Sequence, residues 1–160
     1  MTTSLILKNT PKPALPALEN ATVAHFAWSD IIEETHVDPE ILLSRPNSDK
    51  TPIYACPEGA GPNAEDCPHT IEEWTHTVDG KGEVSIDKRS CTSVTKACCQ
   101  AVVCAPSNNS VHLGTGDVTG RMWSPLTIRC ILQGRGGVWI DGVGSLYIQM
   151  LRPRNDRCLA

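Results

Sequence analysis

The sequence predicts an α+β fold: a small antiparallel sheet with helices packed on one side, stapled by disulfides. Three observations point to it. First, eight cysteines stand in 160 residues, all after position 55: Cys56, Cys67, Cys91, Cys98, Cys99, Cys104, Cys130 and Cys158. An even count, irregular spacing and the lack of tandem CxxC pairs are the pattern of a disulfide framework in an oxidising compartment. Second, residues 70–78 carry apolar side chains at helical spacing. Third, several short apolar or alternating stretches after residue 82 are bounded by glycine, asparagine and aspartate turn signals. A chain of this length buries roughly 70% of its unfolded surface. The crosslinks therefore supplement a core, each contributing about 2–5 kcal/mol.

Taken in order, residues 8–18 hold three prolines and run extended over a surface or stay mobile. Trp28-Ser-Asp-Ile-Ile-Glu-Glu opens a helix, with Ser29 as cap and acids in the first turn, where the helix dipole favours them. Asp38-Pro-Glu repeats the signal, Asp38 capping and Pro39 starting, so this region holds two short helices or one broken at Pro39. Residues 44–66 are loop-like. Thr70–Val78 is a helix with Ile71, Trp74 and Val78 on one face, and a turn at Gly80–Gly82 leads into an alternating strand up to Ile86. Cys98–Cys104 is a buried strand or a short helix, and Ser110–Gly114 a short strand. Asp117 caps a helix reaching roughly Ile131, bent or started late by Pro125. Residues 136–140 and 145–151 form a hairpin closed by Asp141-Gly142 as a tight primed turn.

Charge divides the chain. Residues 1–90 carry seven Lys/Arg against fifteen Asp/Glu, and residues 91–160 carry seven against three. The expected organisation is an acidic, cysteine-free N-terminal arm or pro-region over 1–55, with short helices, followed by a disulfide-rich domain over 56–160. Lys88-Arg89 before Ser90 has the form of a dibasic processing site, and its plain reading is an uncut surface turn. The arginines of the second part are dispersed, without the aromatic interleaving of a nucleic-acid platform, and no apolar run spans a bilayer. Residues 1–8 are too short and too quickly charged for a signal peptide, so a mature or trimmed form of an exported chain is expected. Asn20 and Asn108 begin glycosylation sequons.

Cys98 and Cys99 are neighbours, and neighbouring strand residues point to opposite faces, so each is expected to bond a different partner. Eight cysteines allow about a hundred pairings. The preferred one closes Cys56–Cys67 as a local loop and crosslinks the other six within 91–158. A zinc site lacks its second pair of ligands. His69 and His76 are seven apart with nothing to complete a set, so no metal or other cofactor is expected. There is no GxSxG or HExxH, and Glu72 and Glu73 diverge on a helix. Gly134-Arg-Gly-Gly precedes a strand, not a helix, and reads as a turn or bulge that lets Trp139 approach another layer. Trp28, Trp74, Trp123 and Trp139 read as core residues.

From Asp66-Cys67 to Gln149-Met150 the order of features resembles the fungal necrosis-inducing effectors of the extracellular-protein-two type. A cysteine leads a helix (Cys67 to Val78), then come a strand (Glu83 to Ile86) and a cysteine strand (Cys98 to Cys104). A Gly-x-x-Asp-Val helix entry (Gly114 to Val118), a glycine-led strand and a final apolar strand follow. The resemblance implies a killer-toxin-like fold and a secreted effector or toxin that acts on a plant host or a competing microbe without catalysis. The expected partner is a host protein or cell-surface component. Arg121, Arg135 and the 106–112 loop with His112 are the candidate contact residues. Two alternatives stand beside this. One is a small extracellular hydrolase or ribonuclease drawing on His69, His76, His112, Glu72 and Asp117. The other is a secreted protease inhibitor presenting residues 57–66.

Overall fold

A computed structural model describes residues 21–42, 53–76 and 82–158. Strand β1 (Thr22–Ala27) leads through a 3-10 turn into helices α1 (Ile31–Thr35) and α2 (Pro39–Leu42), and β2 (Ile53–Ala55) follows. Helix α3 (Cys67–His76) comes next, then β3 (Glu83–Ile86), β4 (Ser90–Lys96), β5 (Cys99–Ala105) and β6 (Val111–Gly114). Helix α4 (Thr115–Arg121), an irregular helical segment over Met122–Gln133, β7 (Gly137–Ile140) and β8 (Tyr147–Leu151) complete the chain. Six strands form one sheet in the order β1-β4-β5-β8-β7-β2, with every pair antiparallel, while β3 and β6 form a separate two-stranded ribbon. The α+β class and the antiparallel, disulfide-stapled sheet are as the sequence predicts.

The two-residue period of the strands divides the core between the sheet faces. Ala101, Val103, Ala105, Trp139, Ile148 and Met150 point to one face, where Ile71 and Trp74 of α3, Val118 of α4 and Met122 just after it cover them. The Trp74 indole N–H donates to the Ala101 carbonyl (3.3 Å), so its one polar atom is satisfied in the interior. Val102, Cys104, Val138, Tyr147 and Leu151 point to the other face, where Ile31, Trp28, Val37 and Leu42 pack on them. The longer helices thus share one side, and the N-terminal turns cover the other. The cysteine boundary at 55/56 falls inside this sheet, because β1 pairs with β4 along its whole length and β2 pairs with β7.

The bonds are Cys56–Cys130, Cys67–Cys99, Cys91–Cys104 and Cys98–Cys158, with no cysteine left free. Cys98 and Cys99 take different partners, as expected. Cys98, however, lies in the tight β4–β5 turn, not in the strand, beside Ala97 at φ +52°. The local Cys56–Cys67 loop does not form. Residues 57–66 are drawn along the end of the sheet, where Gly61 N–H donates to Gly134 O (2.8 Å) and Asn63 N–H to Cys98 O (3.0 Å). That path leaves Cys56 beside the Met122–Gln133 segment and Cys67, the first residue of α3, against β5.

Several local expectations change. Ser29 makes no capping bond, and the α-helix begins only at Ile31. Asp38 does cap, accepting from Glu40 N–H (3.0 Å), and Pro39 is the first residue of α2. Gly114, not Asp117, occupies the N-cap of α4. The helix breaks at Ser124 (φ −143°, ψ 120°), because the ring of the following Pro125 disfavours helical geometry in the residue before it. Of the Cys98–Cys104 stretch, Cys99 onward is strand and Cys98 is in the turn before it, and the Val78 and 80–81 expectations lie outside the described residues. The β7–β8 connection is longer than a primed two-residue turn, with positive φ at Gly144 (+76°) and not at Gly142.

Tyr147 is fully buried, and its hydroxyl donates to Gln149 Oε1 (2.8 Å). Burial, reinforced by the Asp38 carboxylate, holds its ionisation well above the ordinary tyrosine range. The folded phenol therefore keeps its proton at pH values where an unfolded tyrosine, titrating near about 10, loses it. More protons bound in the folded state means that stability falls as pH rises past that value. Tyr147→Phe is expected to cost about 1–3 kcal/mol at neutral pH, because Gln149 loses a partner, and to flatten the alkaline fall. Urea midpoints at neutral and strongly alkaline pH measure both effects.

Candidate functional site

Helix α4 and the turn after it have two faces at helical spacing. Val118 and Met122 go into the core, while Gly116, Asp117, Gly120 and Arg121 face outward. A methyl group built on Gly116 or Gly120 would meet nothing within 4 Å. Each glycine inside a helix costs about 1 kcal/mol relative to alanine, and no close approach to a neighbour requires either one. The space they leave is the side of an open cleft of about 710 Å³.

His112 and Leu113 of β6, Trp139 of β7 and the Asp141–Leu146 loop form the other walls. Asp141 builds that loop. Its Oδ1 accepts from Ser145 N–H (2.7 Å) and Leu146 N–H (3.3 Å), and its Oδ2 accepts from Ser145 O–H (2.5 Å). The carboxylate is therefore spent on holding a wall. Arg121 lies 5.4 Å above the Trp139 ring, a cation–π contact that seats its guanidinium in the cleft. Asp117 lines the same space and forms no ion pair with Arg121. The cleft thus offers a cation, a carboxylate, an imidazole and apolar surface together.

His112 has a second environment. Its Nδ1 lies 2.6 Å from Ser85 Oγ, and its Nε2 lies 3.1 Å from Glu83 Oε1. Hydroxyl, imidazole and carboxylate in sequence is the arrangement of a nucleophile, base and orienting acid. Register alone assembles it here, since Ser85 sits directly opposite His112 and Glu83 is two residues along on the same exposed face. The imidazole is 66% exposed and the carboxylate 56% exposed, so water surrounds both.

Of the sequence-derived candidates, His112, Arg121 and Asp117 meet in the cleft. Arg135 lies elsewhere and acts as a staple. Its Nε donates to Pro57 O (3.1 Å) and its Nη2 to Cys56 O, pinning the loop after β2. His76 pairs with Glu72 across one helical turn (3.9 Å) on the exposed side of α3, where His69 also lies, and none of the three lines the cleft. Lys88 and Arg89 form the β3–β4 turn. Arg89 N–H donates to Ser107 O (3.2 Å), and its carbonyl accepts from Trp28 N–H (2.9 Å), so both backbone groups before the dibasic peptide bond are engaged. Asn108 is exposed on the β5–β6 loop, and Asn20 lies outside the described residues.

Residues 57–66 expose a three-residue tip, Glu58-Gly59-Ala60, followed by buried anchors at Gly61 and Pro62. Sequence reasoning passed over Ser85, Asp141, Ser145 and the two glycines. The glycines had a signal in their i, i+4 spacing just after a helix entry, whereas Ser85 had none, because its neighbour lies on another strand. Among the described residues no helix is long and apolar enough to cross a membrane. Comparison with known protein families and with curated proteins returns no match, so the role of the chain is argued from the chemistry of this cleft.

Proposed function

We propose that the chain is an exported, non-catalytic binding protein of the fungal effector or toxin-like kind, which engages a host or competitor component through the cleft beside α4. Four disulfides that use all eight cysteines support an oxidising compartment. The observation that carries the binding reading is the pair of helical glycines, Gly116 and Gly120, kept over open space at a cost to helix stability. Arg121 and His112 stand at the same opening, where a partner meets charge and hydrogen-bonding groups on a framework fixed by crosslinks.

The test uses fluorescently labelled, natively oxidised protein applied to plant cells and to competing fungal cells. Gly120→Leu puts a side chain into the opening from a position whose Cβ meets nothing within 4 Å, and improves the helix; Arg121→Ala removes the cation. Both variants are expected to keep the thermal midpoint of the parent, or to raise it for Gly120→Leu. Both are expected to reduce saturable surface binding by about tenfold or more, which corresponds to ~1.4 kcal/mol. Binding unchanged by either substitution would count against the cleft. The Ser85–His112–Glu83 array favours hydrolysis as the second reading. Ester cleavage by the parent that disappears in Ser85→Ala would replace binding with catalysis.

A further inference from the structure

A second recess, of about 200 Å³, shares no lining residue with the cleft. Its walls are the end of α1 (Thr35, Val37), the loop after Cys56, and the strand exit from Gln149 to Arg154. The loop is immobilised from two directions. Arg135 holds the Cys56 and Pro57 carbonyls, and Arg152 Nε donates to Gly61 O (2.9 Å) while its Nη1 reaches Cys158 O. The Cys56–Cys130 and Cys98–Cys158 bonds lock the same segments. The recess is therefore preorganised.

Its polar lining is mostly donor. Gln149 is only 1% exposed, and its carbonyl oxygen is taken by the Tyr147 hydroxyl. Its carboxamide nitrogen has no hydrogen-bond partner among the described residues, leaving two N–H donors at the base of the recess. The nitrogen is not sealed from solvent, so water in the recess meets it and an acceptor group can take that water's place. At the rim stands Arg154, exposed and without an ion pair among the described residues. One carboxylate shares the lining, Glu58. Its side chain extends into solvent and lies 3.7 Å from Arg135. With Arg152 and Arg154 against Glu58, the charge of the lining is net positive.

We propose that this recess is a carboxylate-binding site, in which the Gln149 amide and the Arg154 guanidinium receive one carboxylate group. A carboxylate accepts from both kinds of donor and neutralises the excess positive charge. A water occupies about 30 Å³ of liquid volume, so the recess is large enough for a ligand group. The carboxylate belongs either to a small free acid or to the C-terminus of a peptide. Both sources present the same chemistry to the site.

The experiment is a titration of isotope-labelled protein followed through the Gln149 side-chain NH₂ resonances. The probes are acetate, triglycine and triglycine amide. Acetate or triglycine is expected to shift those resonances saturably, and the amide to leave them in place. Saturation by acetate alone assigns a small acid, and tighter saturation by triglycine assigns a chain end. Arg154→Gln, at an exposed position that does not threaten the fold, is expected to weaken binding about tenfold or more. Arg129→Gln, outside the recess, is expected to change nothing. Equal shifts from triglycine and its amide, the same affinity in Arg154→Gln as in the parent, or no saturable shift with any probe would overturn the assignment.

Discussion

A chain that begins at Cys56 is expected to lose the cooperative unfolding transition of the full-length protein. It would keep all eight cysteines but lose β1, β2 and the Trp28–Leu42 cover. Val102, Val138, Tyr147 and Leu151 would then face water. Exposing a large apolar side chain costs roughly 1.5–3 kcal/mol, so four of them approach the whole stability of a domain, about 5–15 kcal/mol. The β4 edge, stripped of β1, would also present unpaired backbone groups that promote aggregation. Calorimetry and near-ultraviolet circular dichroism of the two chains, with dye binding to report exposed apolar surface, measure the loss. A shortened chain that melts like its parent would show the N-terminal segment to be dispensable, as a removable pro-region requires.

Gly61→Ala is expected to be a strongly damaging single methyl addition. The new carbon would stand 2.2 Å from the Arg135 carbonyl carbon and 2.5 Å from both the Arg135 oxygen and the Gly136 nitrogen. All three are backbone atoms, so no side chain can turn aside, and the two loops must separate. Separation breaks the Gly61–Gly134 hydrogen bond and disturbs the Arg152 contact to Gly61 O. Overpacking costs typically about 1–3 kcal/mol, and broken bonds add to it. A fall in the denaturation midpoint well beyond that of Gly116→Ala, which meets open space, is the expected contrast. Equal midpoints for the two variants would show that the loop contact has slack.

The elements that were legible in the sequence were those whose signal is local. The α3 stretch shows Ile71 and Trp74 at helical spacing, and both are buried beneath it. Gly136–Ile140 and Ser145–Leu151 do form a hairpin, although Asp141 organises a longer loop than the Asp-Gly pair suggested. Strands β1 and β4 were not legible. Thr22–Ala27 is mostly exposed at the sheet edge, and Ser90–Lys96 is rich in Ser and Thr, so neither carries a clean apolar alternation. The cleft was half legible. His112, Arg121 and Asp117 stood out as charged or titratable residues, whereas Trp139 and Asp141 reach the same space only because β7 folds next to the α4 face.

Read alone, the sequence determined the class of the fold, the use of its cysteines as crosslinks, and the helical and hairpin segments, because side-chain period and turn chemistry are written over a few neighbouring residues. Which cysteines bond, whether Thr22–Ala27 and Ile53–Ala55 belong to the sheet, and which groups share a cleft were decided only by the tertiary structure. Those outcomes depend on strand order and register between segments far apart in the chain, and a linear run of residues carries no local mark of either.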